Sequence, residues 1–142
     1  MCVVTDDDGF VWICTTNGLS RFDGAEFTTY GLESGVPDPV VNHFLHARSG
    51  SRWVATNGGG VARLEPGDPG PDGRVFRAFP VGGTPRSMRV NLMFETPDHM
   101  LLAGTDGGLF RAPETDADPH FGPAEWAWRC LTYGRWIPIR NH

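Results

Sequence analysis

Three copies of one motif occupy most of this chain, and this internal repeat limits the possible folds more than any other feature of the sequence. In each copy a large apolar residue precedes a small residue, a threonine, a glycine-containing turn and an apolar segment with an arginine. The threonines lie 41 and then 49 residues apart. The repeated positions are Trp12, Thr15 and Gly18, then Trp53, Thr56 and Gly59, then Leu102, Thr105 and Gly108.

Each period contains four short apolar segments separated by turn-forming residues. In the second copy these segments span residues 40–47, 52–56, 60–64 and 75–79. A period of about 40 to 50 residues with four strands is typical of a β-propeller blade. The content of 19 glycines and 12 prolines disfavours long helices. The sequence therefore predicts an all-β fold of about three four-stranded antiparallel blades, part of an incomplete propeller whose expected full number is seven.

The whole chain, residues 1–142, is predicted to be partial propeller. Blade repeats are expected at 3–39, 40–88 and 89–133, with the start of a truncated further repeat at 134–142. The Val-Asn-x-Phe-Leu segment recurs after 49 residues and is predicted to be innermost. The Trp-Val-Ala-Thr strand is expected to be the most buried. The outermost strand has the pattern Phe-x-x-Phe, and residues 128–131 are its candidate in the third blade.

These residues resemble a known family. The segment from Asp8-Gly9 through Phe22, together with the stretch 27–37, is similar to the two-component regulator propeller repeat. The second copy departs from that pattern at residues 48–50 and has an extra glycine, and the third has Leu102 in place of tryptophan. The resemblance covers residues 3 to about 133.

The resemblance implies a role as well as a fold. Such blades form the sensory, usually periplasmic, part of hybrid histidine kinases, often in proteins that respond to polysaccharide breakdown products. It implies an oligosaccharide or other small ligand and a possible homodimer in the parent protein. The remaining blades and a kinase module of that protein are the other implied partners. The leading hypothesis is a ligand-sensing segment that acts by binding and not as an enzyme. The alternatives are a fragment of a propeller lyase or hydrolase, and a scaffold that binds proteins.

Asn42 and Asn91 recur at one blade position near the predicted channel mouth, where ligands of propellers bind between converging loops. Capping of a turn at the strand start is the structural alternative for both. Arg86 and Arg89 lie in a neighbouring loop and are candidates for contact with carbohydrate. The candidate ligand-binding set is Asn42, His43, Arg89 and Asn91.

His43 and His46 are expected to point to opposite faces of one strand, because side chains alternate along a strand. They therefore cannot share a metal ion, and a position facing the channel is expected for either. The acidic run 6–8 lacks the alternating ligands of a calcium loop and is interpreted as a turn. No catalytic residues, metal ligands or cofactor are predicted. Three widely spaced cysteines are interpreted as buried apolar residues and not as a disulfide or zinc framework: Cys2, Cys14 and Cys130.

The net charge of −5 and the scattered arginines do not indicate a nucleic-acid surface. No apolar run is long enough to span a bilayer, so no membrane contact is expected. The first residues lack the features of a signal peptide, which predicts the cytosol for the chain as written, whereas the resemblance implies the periplasm. Self-association is expected through apolar end faces, at Phe10, Trp12 and Phe22 on one side and Leu102, Phe110 and Trp128 on the other.

Overall fold

A computed structural model describes residues 1–67, 69, 71–124, 129–132 and 135–137, the last two ranges as backbone only. The first sheet contains β1 (Val3–Thr5), β2 (Val11–Thr15), β3 (Gly18–Phe22) and β4 (Phe27–Tyr30). The second contains β5 (Val41–His46), β6 (Arg52–Thr56), β7 (Val61–Leu64) and β8 (Phe76–Phe79). The third contains β9 (Val90–Glu95), β10 (Met100–Thr105), β11 (Gly108–Pro113) and β12 (Gly122–Pro123). A short 3-10 helix, Leu32–Ser34, follows the first sheet.

In all three sheets the strands follow each other in chain order and pair antiparallel. The inner strands β5 and β9 lie side by side, and β2 contacts β5, so successive sheets pack face to face. This is the arrangement of propeller blades, and the predicted all-β fold of three four-stranded antiparallel sheets is confirmed. Two further strands, β13 (Arg129–Thr132) and β14 (Arg135–Ile137), pair with each other.

The prediction for the outer strand of the third sheet was wrong. The strand that pairs with β11 is β12, and not residues 128–131. The N–H of Ala124 donates to the carbonyl of Leu109, so residues 121–124 have the register that residues 76–79 have beside β7. Phe121 is buried there like Phe76. The two outer strands share only this first aromatic residue, Phe76 or Phe121. A search for the pattern Phe-x-x-Phe therefore misses the strand at residues 121–124.

Two apolar junctions join the three sheets. At the first junction, between the first and second sheets, the ring of Trp12 stacks on that of Phe44 with 4.9 Å between centroids. At the second junction, the ring of Trp53 lies 5.7 Å from that of Phe79 and 6.4 Å from that of Phe121. Residues 53–56 are all fully buried, which confirms that the Trp-Val-Ala-Thr strand is the best buried strand of its sheet.

A threonine and a glycine three or four residues later close the turn between the second and third strand of each sheet. In each turn the threonine hydroxyl donates to a glycine carbonyl: Thr15 to Gly18, Thr56 to Gly60, and Thr105 to Gly108. These three glycines have positive φ angles of 99°, 79° and 119°. The predicted equivalence of Gly59 was therefore wrong, since Gly60 occupies the position. Gly59 is needed for space, because a Cβ there would lie 2.7 Å from Pro37.

The acidic run 6–8 forms the predicted turn, but Asp6 also joins two sheets. Its Oδ1 accepts from the N–H groups of Asp8 and Phe10. Its Oδ2 accepts from the indole N–H of Trp12 at 2.7 Å and from Nε of Arg52, in the second sheet, at 3.1 Å. If Asp6 only formed a turn, its carboxylate would be exposed to solvent. Asp6 is instead buried, and it satisfies the one polar group of the tryptophan at the first junction.

The second junction satisfies its tryptophan in a different way. Trp53 has no acidic residue in its own turn, because Ala47 takes the position of Asp6. Its indole N–H donates to Glu114 of the third sheet at 3.2 Å, and Ser49 donates to the same oxygen at 2.8 Å. Nearby, Glu95 of the third sheet accepts from the backbone and side chain of Arg48. Each junction therefore has a buried carboxylate beside its tryptophan.

Cys2 and Cys14 form a disulfide, which corrects the interpretation of both as free buried residues. They face each other across the β1–β2 pair, with Cα atoms 4.8 Å apart. A separation of twelve residues does not by itself indicate a disulfide. The two cysteines are brought together only because the register of the β1–β2 hairpin places them opposite each other. The side chain of Cys130 lies outside the described residues.

The predicted composition of the two end faces was wrong for three of its six residues, whereas Phe22 and Leu102 are half-buried. Trp12 and Phe110 are buried and face the second sheet, and Phe10 packs partly against the first junction. The apolar side chains exposed at the two ends are others, with Val3 and Phe27 on the first sheet and Leu92, Phe94 and Leu109 on the third. Trp128 lies outside the described residues.

Removal of the charge on Asp6 should weaken the first junction. Burial raises the pKa of this carboxyl, but hydrogen bonds from Trp12 and Phe10 and the charge of Arg52 outweigh it and hold the pKa below 3.8. Its contribution to stability is therefore present above that pH and lost below it. We expect Asp6→Asn to lower the free energy of unfolding by about 2 kcal/mol at neutral pH, measured by urea denaturation. Asp7→Asn, at the exposed neighbouring residue, is the matched control. Equal midpoints for both variants would contradict this role of Asp6.

Candidate functional site

Asn42 and Asn91 each occupy a β-bulge near the start of an inner strand. Val41 pairs with Thr56 and His43 with Ala55, which leaves Asn42 without a partner in β6. In β9 the pairing shifts in the same way and skips Asn91. A bulge re-aims the side chain of the extra residue and ends regular pairing. The recurrence seen in the sequence therefore corresponds to one repeated backbone feature.

Each of these asparagines is held by a polar residue fifteen positions later. Nδ2 of Asn42 donates to Oδ1 of Asn57 at 3.2 Å and also to the carbonyl of Val90, across the second junction, at 3.0 Å. Nδ2 of Asn91 donates to Oδ1 of Asp106 at 2.9 Å. Asn57 and Asp106 directly follow the repeated threonines. The sequence analysis missed both, although the equal separation of fifteen residues was a usable signal.

Arg89 connects the two asparagine pairs. It forms a β-bridge with Asn57, and its carbonyl accepts from the N–H of Asp106 at 3.1 Å. Its Nη1 lies 3.9 Å from a carboxylate oxygen of Asp106, which is beyond hydrogen-bonding distance. We define the inner-end cluster as Asn42, Asn57, Arg89, Asn91 and Asp106. Three of the four predicted ligand-binding residues lie in it. Arg86 is in the adjoining turn, where its carbonyl accepts from the N–H of Arg89.

The inner-end cluster offers both donors and acceptors to a ligand. The amide nitrogens of Asn42 and Asn91 are engaged, whereas no hydrogen bond reaches the Oδ1 of either from the described part of the chain. The guanidinium of Arg89 is about half exposed. Two fixed amide oxygens and one cationic donor are suited to neighbouring hydroxyl groups, each of which can donate and accept.

His43 lies deeper along the inner strand and connects the second and third sheets. Its Nδ1 accepts from the backbone N–H of Met93, in β9, at 3.1 Å. The adjacent Phe44 packs in the first junction and Leu45 against the second, so alternation puts His43 and His46 on opposite faces, as predicted. Both also line an open groove of about 450 Å³ beside β1 and β5.

The described residues contain no group of three or more His, Cys, Asp or Glu side chains that could hold a metal ion. Over the same residues, no helix is long and apolar enough to cross a membrane. The candidate site is the polar surface formed by the side chains of the inner-end cluster.

Comparison with known proteins identifies neighbours by structure alone. No family model and no curated protein matches the sequence. One similar solved structure is the extracellular domain of a protein described as a hybrid two-component system from B. thetaiotaomicron, with a TM-score of 0.68 and 17% identity. A second such domain from the same organism has a TM-score of 0.64 and 21% identity. The chain has the fold of a part of each of these extracellular domains. The family resemblance of the repeat is thereby supported at the level of the fold.

The match covers 91% of this chain but only 16% of the first neighbour, and 84% of this chain but 18% of the second. The chain thus spans about a sixth of the length of these sensor domains. At these identities the likeness concerns the fold alone, and the inner-end cluster has to be judged by its own geometry.

Because His43 is partly buried, the stability of the protein should depend on pH. Burial lowers the pKa of this imidazole below its ordinary value of 6.5, and its bond to Met93 needs an unprotonated Nδ1. The unfolded chain binds the proton more readily than the folded protein. The contribution of His43 to the free energy of unfolding should therefore be fully present above pH 6.5 and decrease as the pH falls below that value. We expect His43→Gln, which stays neutral, to reduce the loss of thermal stability between about pH 7.5 and pH 5. His120→Gln, at an exposed histidine, is the control and should leave that loss unchanged. A loss as large in His43→Gln as in the parent would show that other groups cause it.

Proposed function

We propose that this chain is part of an extracellular or periplasmic sensory propeller, and that it binds an uncharged or weakly acidic oligosaccharide through the inner-end cluster. One observation carries the proposal. A bulged asparagine with a polar partner fifteen residues later occurs in two adjacent sheets. Both asparagines lie at the same end of the inner strands. The side chains of these two asparagines take no part in the threonine–glycine turns that close the hairpins.

We propose that the chain acts by binding a ligand and does not catalyse a reaction. In the inner-end cluster the single carboxylate, Asp106, is engaged by Asn91, and the nearest histidine, His43, is bonded to backbone. A sugar hydroxyl could donate to Oδ1 of Asn42 or Asn91 and accept from Arg89. Because the cluster bridges the second and third sheets through the bond from Asn42 to Val90, a ligand there would favour one relative position of the two sheets. Such a change could be transmitted to further blades and to a kinase module of a longer polypeptide.

The disulfide supports the proposed compartment independently of the structural neighbours. Disulfides persist in secreted and periplasmic proteins and are rare in the reducing cytosol. Cys14 is fully buried and Cys2 partly so, which would protect the bond once it has formed. This favours the periplasm implied by the resemblance over the cytosol predicted from the first residues of the chain.

Binding can be tested with a panel of soluble neutral and acidic oligosaccharides, by array screening followed by isothermal titration calorimetry. We expect Asn91→Ala and Asp106→Ala each to weaken binding of an oligosaccharide hit by about tenfold, which corresponds to loss of one or two hydrogen bonds. Asp118→Ala, at an exposed carboxylate paired with Arg77 on the outer strand, is the matched control and should bind like the parent. An absence of hits across the panel, or an equal loss of affinity in the control, would refute the proposed ligand class.

The compartment can be tested through the disulfide. Peptide mapping without reduction should recover Cys2 linked to Cys14, and dithiothreitol should lower the melting temperature. Closure of a twelve-residue loop is expected to contribute about 3 kcal/mol. The double variant Cys2→Ala, Cys14→Ala is the control, because the reductant should not change its melting temperature. Free thiols at both positions in protein isolated from the periplasm would overturn this part of the proposal.

A further inference from the structure

Two asparagines in this sequence precede a glycine, Asn17 before Gly18 and Asn57 before Gly58. An asparagine at such a position can lose its side-chain amide when the backbone nitrogen of the next residue attacks the amide carbon. Glycine allows this attack, because it has no side chain to block the nitrogen and has the widest range of backbone angles. In a folded protein the reaction also depends on how the nitrogen and the amide are held, and the two sites differ in this respect.

The nitrogen of Gly18 is not available for such an attack. Gly18 is buried, and its N–H donates to the carbonyl of Pro39 at 2.6 Å. Its own carbonyl accepts from the hydroxyl of Thr15, so hydrogen bonds hold Gly18 on both sides at the start of β3. An attack on Asn17 would first have to break the bond to Pro39. The fold therefore protects Asn17.

The nitrogen of Gly58 is not held in this way. Gly58 is exposed, and no hydrogen bond engages its N–H within the described part of the chain. The N–H of the next residue, Gly59, donates to Oγ1 of Thr56 and closes the turn without it. The attacking nitrogen is therefore accessible beside Asn57 and engaged beside Asn17.

The amide of Asn57 is polarised by a neighbour in the inner-end cluster. Its Oδ1 accepts from Nδ2 of Asn42 at 3.2 Å. This donor would stabilise the negative charge that develops on the oxygen when the nitrogen of Gly58 adds to the amide carbon. The leaving nitrogen, Nδ2 of Asn57, has no hydrogen bond to any residue that the structure describes, so no such bond has to break when it departs.

We propose that Asn57-Gly58 is a site of spontaneous deamidation within the inner-end cluster. Hydroxide removes the proton of the Gly58 N–H, the nitrogen forms a bond to Cγ of Asn57, and the Cγ–Nδ2 bond breaks with release of ammonia. Water then opens the resulting succinimide ring at either carbonyl, which gives aspartate or isoaspartate at position 57. No oxidant, reductant or enzyme takes part in this reaction.

The third sheet shows that the cluster accommodates an aspartate at this position. Asp106 stands 49 residues after Asn57. Its Oδ1 accepts from Asn91, as Oδ1 of Asn57 accepts from Asn42. An aspartate at position 57 would keep this bond and add one negative charge beside Arg89, whose backbone forms a β-bridge with Asn57. The inference concerns a modification and does not depend on the oligosaccharide proposal.

Incubation of the full chain at mildly alkaline pH, followed by tryptic peptide mapping with mass spectrometry, tests this proposal. Cleavage after arginine separates Asn57, in the peptide 53–63, from Asn17, in the peptide 1–21. A sample digested before incubation is the blank. We expect Asn57 to be converted at least about fivefold faster than Asn17, which is the effect of one hydrogen bond of about 1 kcal/mol. Asn57→Gln should show no conversion at position 57, because its longer side chain forms a less favourable ring.

The same measurement in concentrated urea separates the effect of the fold from that of the local sequence. In the unfolded chain both asparagines precede an exposed glycine, so their rates should become similar. Conversion of Asn17 as fast as that of Asn57 in the folded chain would overturn the proposal. Conversion at neither position in the folded chain, when both react in urea, would overturn it as well.

Asn42→Ala tests the assigned donor. Loss of its bond to Oδ1 should slow conversion at Asn57 by about fivefold, again the effect of one hydrogen bond. The rate at Asn17 in the same variant is the internal control, and circular dichroism and thermal melting should show that the variant remains folded. An unchanged or higher rate at Asn57 would show that Asn42 does not promote the reaction and would remove it from the proposed site.

Discussion

Coverage of one sheet's apolar face by the next is the constraint on which the rest of this structure depends. Each sheet presents apolar side chains on both faces, and no sheet is large enough to bury them by itself. The two junctions bury a tryptophan each, which contacts an aromatic ring of its own sheet and one of the next sheet. Burial of an indole brings with it an N–H that must be satisfied. Asp6 and Glu114 do this from different sheets, so the same requirement is met by two unrelated positions.

The inner-end cluster is a consequence of this packing. Val41 and Phe44 both face the first sheet, although they are three positions apart and side chains alternate along a regular strand. The bulge at Asn42 resolves the conflict by adding one residue to the strand. The same holds in the third sheet for Val90 and Met93, with Asn91 between them. A polar side chain at the bulge is directed away from the apolar junction, and two neighbouring sheets thus place similar amides close together.

Charged groups from neighbouring sheets pair with each other at both junctions. Arg52 meets Asp6 and Asp8 from the first sheet, and Arg48 meets Glu95 of the third. Exposed ion pairs contribute little free energy, but an unpaired charge buried in the wrong junction would cost several kcal/mol.

The sequence by itself determined the class of fold, the number of sheets and the strand order. These follow from the spacing of Thr15, Thr56 and Thr105 and from local turn chemistry, which are repeated along the chain and need no knowledge of distant contacts. The recurrence of asparagine at 42 and 91 also marked the candidate site, although not its partners Asn57 and Asp106.

Only the tertiary structure decided which groups meet across strands and sheets. The bond between Cys2 and Cys14, the contact of Asp6 with Arg52 and the burial of Trp12 each depend on pairing register and on the direction in which a sheet faces. One bulged residue such as Asn42 changes the register by a single position and moves every following side chain to the other face, whereas the extra glycine beside Gly60 is accommodated in a turn and leaves Val61 paired as Leu19 is. The alternation of residues in a sequence indicates that a strand has two different faces. Which face the next sheet packs on is determined by contacts between residues far apart in the chain.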